Sequence, residues 1–308
     1  MTGKMTLREK IELCEGKNFW ETKEFSQYGI PSMFMCDGPH GLRKQENQND
    51  QLGIYRSVPA TCFPAAVTTA CSWDEELLEK IGEAIAKEAL DQGVGLILGP
   101  GVNIKRNPLC GRNFEYFSED PYLAGKLAAG YINGVQKNGV GACLKHFACN
   151  NQEYKRFVSD SVIDERTLRE IYLTPFEIAV REGKPKAVMC AYNKINGVYC
   201  SDNKKLLTDI LRNEWGFEGV VVTDWGAMND RIAAFKAGCD LNMPGGSHYM
   251  EREVLEAVAE GKLDERDIDR SVERIKKMVL EAAQALGKGQ DCDYEAPHEL
   301  ARLAADQS

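Results

Sequence analysis

The sequence has no long apolar segment. Its longest unbroken apolar run is the six residues from Ala187 to Tyr192, far short of the ~20 that a membrane-spanning helix needs. The first ten residues, MTGKMTLREK, contain no apolar stretch typical of a secretory signal. We therefore expect neither a membrane span nor a secretory leader, and we predict a cytoplasmic location.

Cysteine and histidine are present, but not in the patterns that bind metals or form disulfide frameworks. The eleven cysteines are an odd number, under 4% of 308 residues, and no CxxC pair occurs. Only four histidines exist, and no two have the spacing of metal ligands on one helix. We expect the thiols to be small buried groups in a reducing compartment, and we expect no metal or other cofactor.

Excess positive charge is also lacking. Thirty-eight Lys and Arg face 47 Asp and Glu, which leaves a net charge of -9 and disfavours binding to nucleic acid. With 43% hydrophobic and 28% charged residues, the chain has the balance of a globular protein. Its length fits one large domain or two small ones, and we find no internal repeat.

Short apolar runs alternate with amphipathic helices along the chain. We expect strands at Met33–Cys36, Gly95–Leu98, Ala142–Leu144, Ala187–Ala191, Gly219–Thr223 and Lys236–Leu241. Capping patterns predict helix starts at Thr6–Glu9, at Ser72–Glu75, at Asp120 before Pro121 and at Asp164. Continuous apolar strands between helices indicate a parallel α/β fold, either a barrel or a doubly wound sheet.

The composition changes near the carboxyl end. From Gly287 the sequence reads GKGQDCDYEAPHEL, which is polar and typical of turns. We therefore predict one domain over residues 1–286 and the start of an interdomain linker over residues 287–308.

Polar residues follow several of the predicted strands directly. Asp37, Lys145 with His146, Tyr192 and Asp224 stand at four such ends. The carboxyl ends of parallel strands meet on one face, where ligands bind. Carboxylates, cations and rings gathered there suit a sugar, because charged groups bind hydroxyls and a ring covers the apolar sugar face. Each residue also has a structural alternative, since an Asp after a strand is often a helix cap.

Five strings resemble the amino-terminal barrel of glycoside hydrolase family 3, the β-glucosidase type. They are CDGPHGLR, GPGVNIKRNPLCGRNFEYFSEDP, KHFACNNQE, CAYNKING and VVTDWGAM, in the order of that family. The resemblance implies a TIM-type (β/α)8 barrel, which can be irregular, without the second α/β sandwich domain of the longer members. It covers essentially the whole chain.

The resemblance also implies site roles. It assigns Asp224 as the catalytic nucleophile and Trp225 as a ring lining the pocket. The residues implied to bind sugar hydroxyls are Asp37, Arg43, Arg112, Lys145, His146, Arg156 and Tyr192. A retaining glycosidase needs an ionised carboxylate to attack the anomeric carbon. We expect the nearby arginines and lysine to hold the pKa of Asp224 low.

Other acidic and glycine motifs carry weaker signals. We expect Glu115 and Glu119 to pair with local arginines and amides rather than to act in catalysis. Glu153 follows His146 closely enough to reach the mouth of the site, but we do not expect it to be catalytic. The glycines of GPG at 99–101 lack the pattern of a phosphate-binding loop.

A proton donor is missing from these motifs. Two-domain members of the family take a Glu from the second domain, and single-barrel members use a loop histidine after a KHF segment, where this chain reads KHFACNNQE. We therefore expect a retaining exo-β-D-glucosidase barrel that is incomplete and weakly active alone. It is either a truncated, proteolytic or split-gene part of an enzyme, or a barrel that pairs with a separate second-domain chain or forms a homo-oligomer. The alternatives are a non-catalytic or partner-dependent sugar-binding barrel fragment, or the same chemistry on a different glycone, xylose or N-acetylglucosamine. The DGPHGLR string favours glucose.

Overall fold

A parallel sheet of five strands forms the centre of the molecule. The computed structural model describes residues 5–46, 55–288 and 292–308. The strands run in the order β1-β2-β3-β5-β8, with β1 at Met35–Asp37, β2 at Leu96–Leu98, β3 at Gly141–Phe147, β5 at Ala187–Cys190 and β8 at Val220–Thr223. A small second sheet contains β4 (Asp160–Ser161), β6 (Lys194–Ile195) and β7 (Val198–Tyr199).

Four of the five central strands are buried along their whole length. Every residue of β2, β3, β5 and β8 is buried, as strands covered by helices require. Five of the six predicted strands are confirmed, each within three residues of its expected bounds.

Isolated bridges extend the pairing beyond both edges of this sheet. Val222 bridges to Leu241, and Asn242 bridges to Glu15. Gly16 then bridges to Thr22, and Glu21 bridges to Phe34, which adjoins β1. These contacts lead from the β8 edge back to the β1 edge. The α/β class and the TIM-barrel type are confirmed, in an irregular form in which several strands are very short.

Helices surround the sheet. The α-helices are α1 (Leu7–Leu13), α2 (Ala66–Thr69), α3 (Glu75–Asp91), α4 (Pro121–Gln136), α5 (Glu165–Thr167), α6 (Thr174–Ile178), α7 (Arg231–Ala237), α8 (His248–Ala259), α9 (Glu265–Leu286) and α10 (Glu295–Gln307). Leu168–Leu173, Ala179–Gly183 and Lys205–Glu214 are π-helical, and Ser26–Tyr28, Ala70–Ser72, Asn113–Glu115 and Cys200–Asp202 are 3-10 turns. Among the described residues no helix is long and apolar enough to cross a membrane.

Three of the four predicted helix caps are confirmed. Thr6 and Glu9 form a capping box, and Asp120 and Asp164 accept hydrogen bonds from the first turns of α4 and α5. The box predicted at Ser72–Glu75 is wrong. Asp74 caps α3 instead, and the Ser72 hydroxyl accepts from the Asp74 amide.

The strand predicted at Lys236–Leu241 is also wrong. Helix α7 continues through Ala237 and ends at Gly238, whose φ of 89° allows the left-handed turn. The Asp230 side chain caps this segment, and its buried side chains stabilise it as a helix. Of the residues predicted as a strand, only Leu241 pairs with β8.

The final helix packs against the barrel. Ala301 and Ala304 of α10 are buried, and the Tyr294 hydroxyl donates to Asp91 Oδ2 at 2.8 Å, at the end of α3. The predicted boundary between a domain over residues 1–286 and a linker that starts at residue 287 stays a prediction.

Candidate active site

A polar cavity of about 220 Å³ opens at the carboxyl ends of the central strands. At ~30 Å³ for each water, it has room for about seven waters, the scale of one sugar ring. Its walls include all nine residues predicted from the sequence: Asp37, Arg43, Arg112, Lys145, His146, Arg156, Tyr192, Asp224 and Trp225.

Strand ends and one bulge bring these residues together. Asp37 ends β1, and Asp224 follows β8. Neighbouring residues of a regular strand point to opposite faces, yet Lys145 and His146 both line the cavity. Between Leu144 and Phe147 the register of β3 against β5 shifts by one residue, and such a bulge re-aims side chains.

Asp224 is buried, and one of its oxygens has no partner. Oδ1 accepts from the Trp225 amide at 2.8 Å, whereas Oδ2 has no hydrogen-bond partner within 3.5 Å among the described residues. The Tyr192 hydroxyl is nevertheless close enough to the carboxylate to help lower the pKa of Asp224. Burial raises the pKa of Asp224, and the nearby Arg112 and Lys145 only partly oppose it. The expectation of a low pKa was therefore wrong, because burial outweighs the surrounding cations.

Lys145 is a buried cation held by carboxylates. Its Nζ lies 3.3 Å from Asp37 Oδ1 and 3.8 Å from Glu115 Oε2. Burial favours the neutral amine, but Asp37 and Glu115 outweigh it, so that the pKa of Lys145 is raised. A charged ammonium therefore faces the cavity.

His146 is a buried neutral ring. Burial, together with nearby Arg112, Lys145 and Arg156, lowers the pKa of His146 well below its ordinary value. Arg112 Nη2 lies 2.9 Å from His146 Nε2, and Arg112 Nε donates to Glu115. His146 Nε2 is 3.7 Å from Asp224 Oδ2, a pair that would attract only if the ring were protonated.

Arg156 and Tyr192 form the opposite wall. The Arg156 guanidinium lies 4.5 Å from the centre of the Tyr192 ring and is fixed by a 3.0 Å hydrogen bond from Nη1 to Glu153 Oε2. The Tyr192 hydroxyl donates to the Trp225 carbonyl at 2.8 Å. This arrangement presents both a donor-rich and an apolar surface.

Glu115 pairs with Arg112, as expected from the sequence, and Glu153 pairs with Arg156. Among the described residues that line the cavity, Asp37 and Asp224 are the only carboxylates. No three His, Cys, Asp or Glu side chains within residues 5–46, 55–288 and 292–308 group as a metal site.

The glycosyl hydrolase family 3 N-terminal domain model matches residues 17–278. The chain belongs to glycoside hydrolase family 3. The match covers most of the barrel and every residue of the cavity wall.

Members of family 3 with high similarity are longer than this chain. This chain is 55% identical over 304 residues to thermostable β-glucosidase B of Acetivibrio thermocellus. The match covers 99% of this chain and 40% of that protein. Identity to the exo-α-(1→6)-L-arabinopyranosidase of Bifidobacterium breve is 47% over 306 residues, with coverage of 99% and 40%. This chain thus spans about 40% of these curated relatives.

A solved family 3 structure has the same architecture. β-Glucosidase 3B from Thermotoga neapolitana, in complex with glucose, superposes with a TM-score of 0.92 at 42% identity. The match covers 99% of this chain and 46% of that one.

Sequence reasoning missed several residues of this family 3 cavity. Phe19 and Trp20 form an aromatic wall with Trp225, with ring centres of Trp20 and Trp225 6.0 Å apart. The indole nitrogen of Trp225 donates to the Phe19 carbonyl at 2.6 Å. Gln45, Leu98 and Met189 complete the lining. No strand-end signal marks Phe19 or Trp20, because they lie in the segment before β1.

Buried amides behind the cavity were missed too. Asn103 makes two 2.9 Å hydrogen bonds with the His146 backbone, one to the carbonyl and one from the amide. Asn150 donates to the Tyr116 hydroxyl and to Glu153 Oε1, both at 3.1 Å. A polar residue within a buried run, as in GPGVN and KHFACNN, is the signal that could have identified them.

Proposed function

We propose that this chain is the nucleophile-bearing barrel of a retaining exo-β-D-glucosidase. The observation that carries the proposal is the unpartnered Oδ2 of buried Asp224, in a cavity walled by Lys145, Arg112 and His146. An attacking carboxylate oxygen needs an available lone pair, while fixed cations and dipoles stabilise charge that develops in the transition state.

The proposed reaction has two displacements. Asp224 Oδ2 forms a bond to the anomeric carbon as the bond from that carbon to the leaving oxygen breaks, and this oxygen takes a proton from a general acid. Water then attacks the anomeric carbon, gives a proton to the same residue acting as base, and releases the Asp224 carboxylate. Asp37 accepts from sugar hydroxyls, and Lys145 and Arg112 donate to them.

The proposal places the general acid/base outside the described cavity wall. A retaining pair of carboxyl groups is ~5–5.5 Å apart, and the only other wall carboxylate, Asp37, contacts Lys145. The relatives contain a large part that this chain does not match, and we assign the proton donor to a second domain or second-domain chain of that kind. Another copy of this chain is the alternative partner.

The proposed substrate is a small β-glucoside or oligosaccharide whose terminal unit enters the cavity. The cavity size suits one sugar, and the relatives include named β-glucosidases and a glucose complex. A second candidate is a different glycone, because a relative at 47% identity is named an α-L-arabinopyranosidase. Xylose and N-acetylglucosamine remain further alternatives, and a cytoplasmic location remains part of the proposal.

A covalent trap tests this function without the missing acid. The 308-residue chain is incubated with dinitrophenyl 2-deoxy-2-fluoro-β-glucoside, whose dinitrophenolate departs without a proton, and the intact mass of the chain is measured. We expect one fluoroglucosyl unit on a peptide that contains Asp224. The Asp224→Asn variant should form no adduct, and Asp209→Asn, on the distant Lys205–Glu214 helix, should label like the parent.

The alternatives give different outcomes. Absence of adduct in a chain that is folded by circular dichroism would overturn the proposal and favour a sugar-binding barrel. Faster labelling by the arabinosyl or xylosyl analogue would retain the chemistry and change the glycone.

A further inference from the structure

We propose that Tyr116 is a positioning residue that, with Arg112, holds His146 as the neutral tautomer with its hydrogen on Nδ1. In this tautomer the ring cannot donate to Asp224, and the attacking oxygen stays free. The inference rests on the proposed function of Asp224.

The first step is the contact between Arg112 and His146. A guanidinium has only donors, and Arg112 Nη2 lies 2.9 Å from His146 Nε2. Nε2 must therefore accept with its lone pair. In a neutral imidazole the single hydrogen then belongs to Nδ1.

The second step is the partner of Nδ1. Tyr116 Oη lies 3.2 Å from His146 Nδ1 and accepts the Nδ1 hydrogen. Asn150 Nδ2 donates to the same Tyr116 oxygen at 3.1 Å and to Glu153 Oε1 at 3.1 Å. Tyr116 is fully buried, so that water does not replace it as acceptor.

The orientation of the ring is fixed independently. The two hydrogen bonds between Asn103 and the His146 backbone hold the main chain at the β3 bulge. Gly101 packs directly on the Tyr116 ring, where an added Cβ would lie only 3.0 Å from Cδ1 and Cε1. The absence of a side chain at position 101 therefore lets Tyr116 reach His146.

The consequence concerns Asp224. His146 Nε2 is 3.7 Å from Asp224 Oδ2, the oxygen without a hydrogen bond. A hydrogen on Nε2 would displace the Arg112 contact and put a donor 3.7 Å from this oxygen, where a small shift of the ring would form a charge-assisted hydrogen bond that stabilises the resting carboxylate. Such a bond must weaken when the oxygen attacks, so that it would raise the barrier. The low pKa of His146 agrees with a neutral ring.

Nitrogen-15 NMR of the histidine rings tests this assignment without any sugar. The 308-residue chain contains four histidines, and two-bond couplings between ring nitrogens and carbon-bound hydrogens show which nitrogen is protonated. His40 Nε2 also accepts a hydrogen bond, from the Ala66 amide at 3.0 Å, so that a His40→Gln variant is needed to tell the signals of His40 and His146 apart. We expect His146 to have its hydrogen on Nδ1.

The Tyr116→Phe variant removes the acceptor and retains the ring. We expect part of the His146 population to move its hydrogen to Nε2, and the rate of fluoroglucosyl labelling to fall about tenfold, the effect of one hydrogen bond. Tyr131→Phe is the matched control, because the Tyr131 hydroxyl is buried and lacks a hydrogen-bond partner in the described structure. It should change neither the His146 spectrum nor the rate.

The outcomes separate the two proposals. A His146 hydrogen on Nε2 in the parent chain would overturn the positioning role of Tyr116. An unchanged His146 spectrum and an unchanged labelling rate in the Tyr116→Phe variant would overturn it too. If Tyr116→Phe does not fold, the parent spectrum alone decides the tautomer, and Asn150→Ala tests the support of Tyr116. Hydrogen on Nδ1 in a parent chain that forms no adduct supports the tautomer and overturns the proposed function.

Discussion

Lys145 Nζ lies 3.3 Å from Asp37 Oδ1 although only 3% of the Lys145 residue is exposed. A buried ammonium is unfavourable unless nearby carboxylates compensate it. Asp37 and Glu115 supply this compensation, and Asp37 also lines the cavity. Asp37 at the end of β1 therefore offers an acceptor, and Lys145 near the end of β3 offers a donor beside it. This combination suits two adjacent sugar hydroxyls.

Replacing this cation should impair labelling. In Lys145→Met a neutral chain of similar length fills the space, and a charge-assisted hydrogen bond worth about 1.5–3 kcal/mol is lost. We expect labelling by the fluoro-sugar to slow by about 10- to 150-fold, measured as the rate of mass increase at subsaturating sugar.

Lys186→Met is the control for this substitution. Lys186 precedes β5 at the amino end of the sheet and pairs with Glu281 at 2.7 Å. A similar slowing in Lys186→Met would show that loss of a lysine acts through general stability, and would contradict the assigned contact.

The Asp224→Asn variant should be more stable than the parent at neutral pH. Burial raises the pKa of Asp224, so that the ionised carboxylate is less favourable in the folded chain than in the unfolded one. Asparagine removes this charge at nearly constant volume. We expect a higher Tm by calorimetry at pH 7 together with loss of labelling, the combination typical of residues retained for activity. A lower Tm would show that the surrounding cations dominate instead.

Labelling should depend on pH through the same carboxyl group. The pKa of an aspartate in an unfolded chain is ~3.9, and the pKa of Asp224 in the folded chain lies above that value. The favourable contribution of this group to stability is complete below ~3.9 and is lost as the pH rises through the raised folded pKa. The attacking form appears over that same rise, so that the labelling rate should increase with pH through it. A midpoint at or below ~3.9 would contradict the prediction.

The sequence allowed much of the cavity to be predicted. Asp37, Lys145 and Asp224 stand at ends of apolar strands, and parallel strands bring such ends to one face. Arg43, Arg112 and Arg156 lie in loops, and only the family resemblance pointed to them. Their place in the wall depends on contacts across the fold that no local pattern encodes.

Other features depend on three-dimensional packing. The Trp225 indole donates to a carbonyl 206 residues away, at Phe19, a separation at which periodicity gives no information. The direction of the Asp224 pKa shift depends on how completely the barrel buries it, which a list of neighbouring charges does not give. The failure at Ser72 was local, since Ser72 and Asp74 are both good caps and only the backbone decides between them.

Gly101→Ala should disturb His146 without touching it. The new Cβ would lie 3.0 Å from two atoms of the Tyr116 ring, and the Glu115 carbonyl at 3.3 Å restricts movement to the other side. The ring must shift by a few tenths of an ångström, which lengthens the 3.2 Å contact between Tyr116 Oη and His146 Nδ1. We expect a loss of about 1–3 kcal/mol in unfolding free energy, measured in urea, and partial movement of the ring hydrogen to Nε2, measured by NMR.

Gly111→Ala is the matched control, because a Cβ at position 111 meets no atom within 4 Å. Combining Gly101→Ala with Tyr116→Phe separates a direct effect from one that acts through Tyr116. If the glycine acts by positioning the tyrosine hydroxyl, the double variant should show no more Nε2 hydrogen than Tyr116→Phe alone, because the contact is already lost. Additive changes in the His146 spectrum would mean that Gly101 influences the ring by another route, through the bridge between Gly101 and Lys145 in the adjacent backbone.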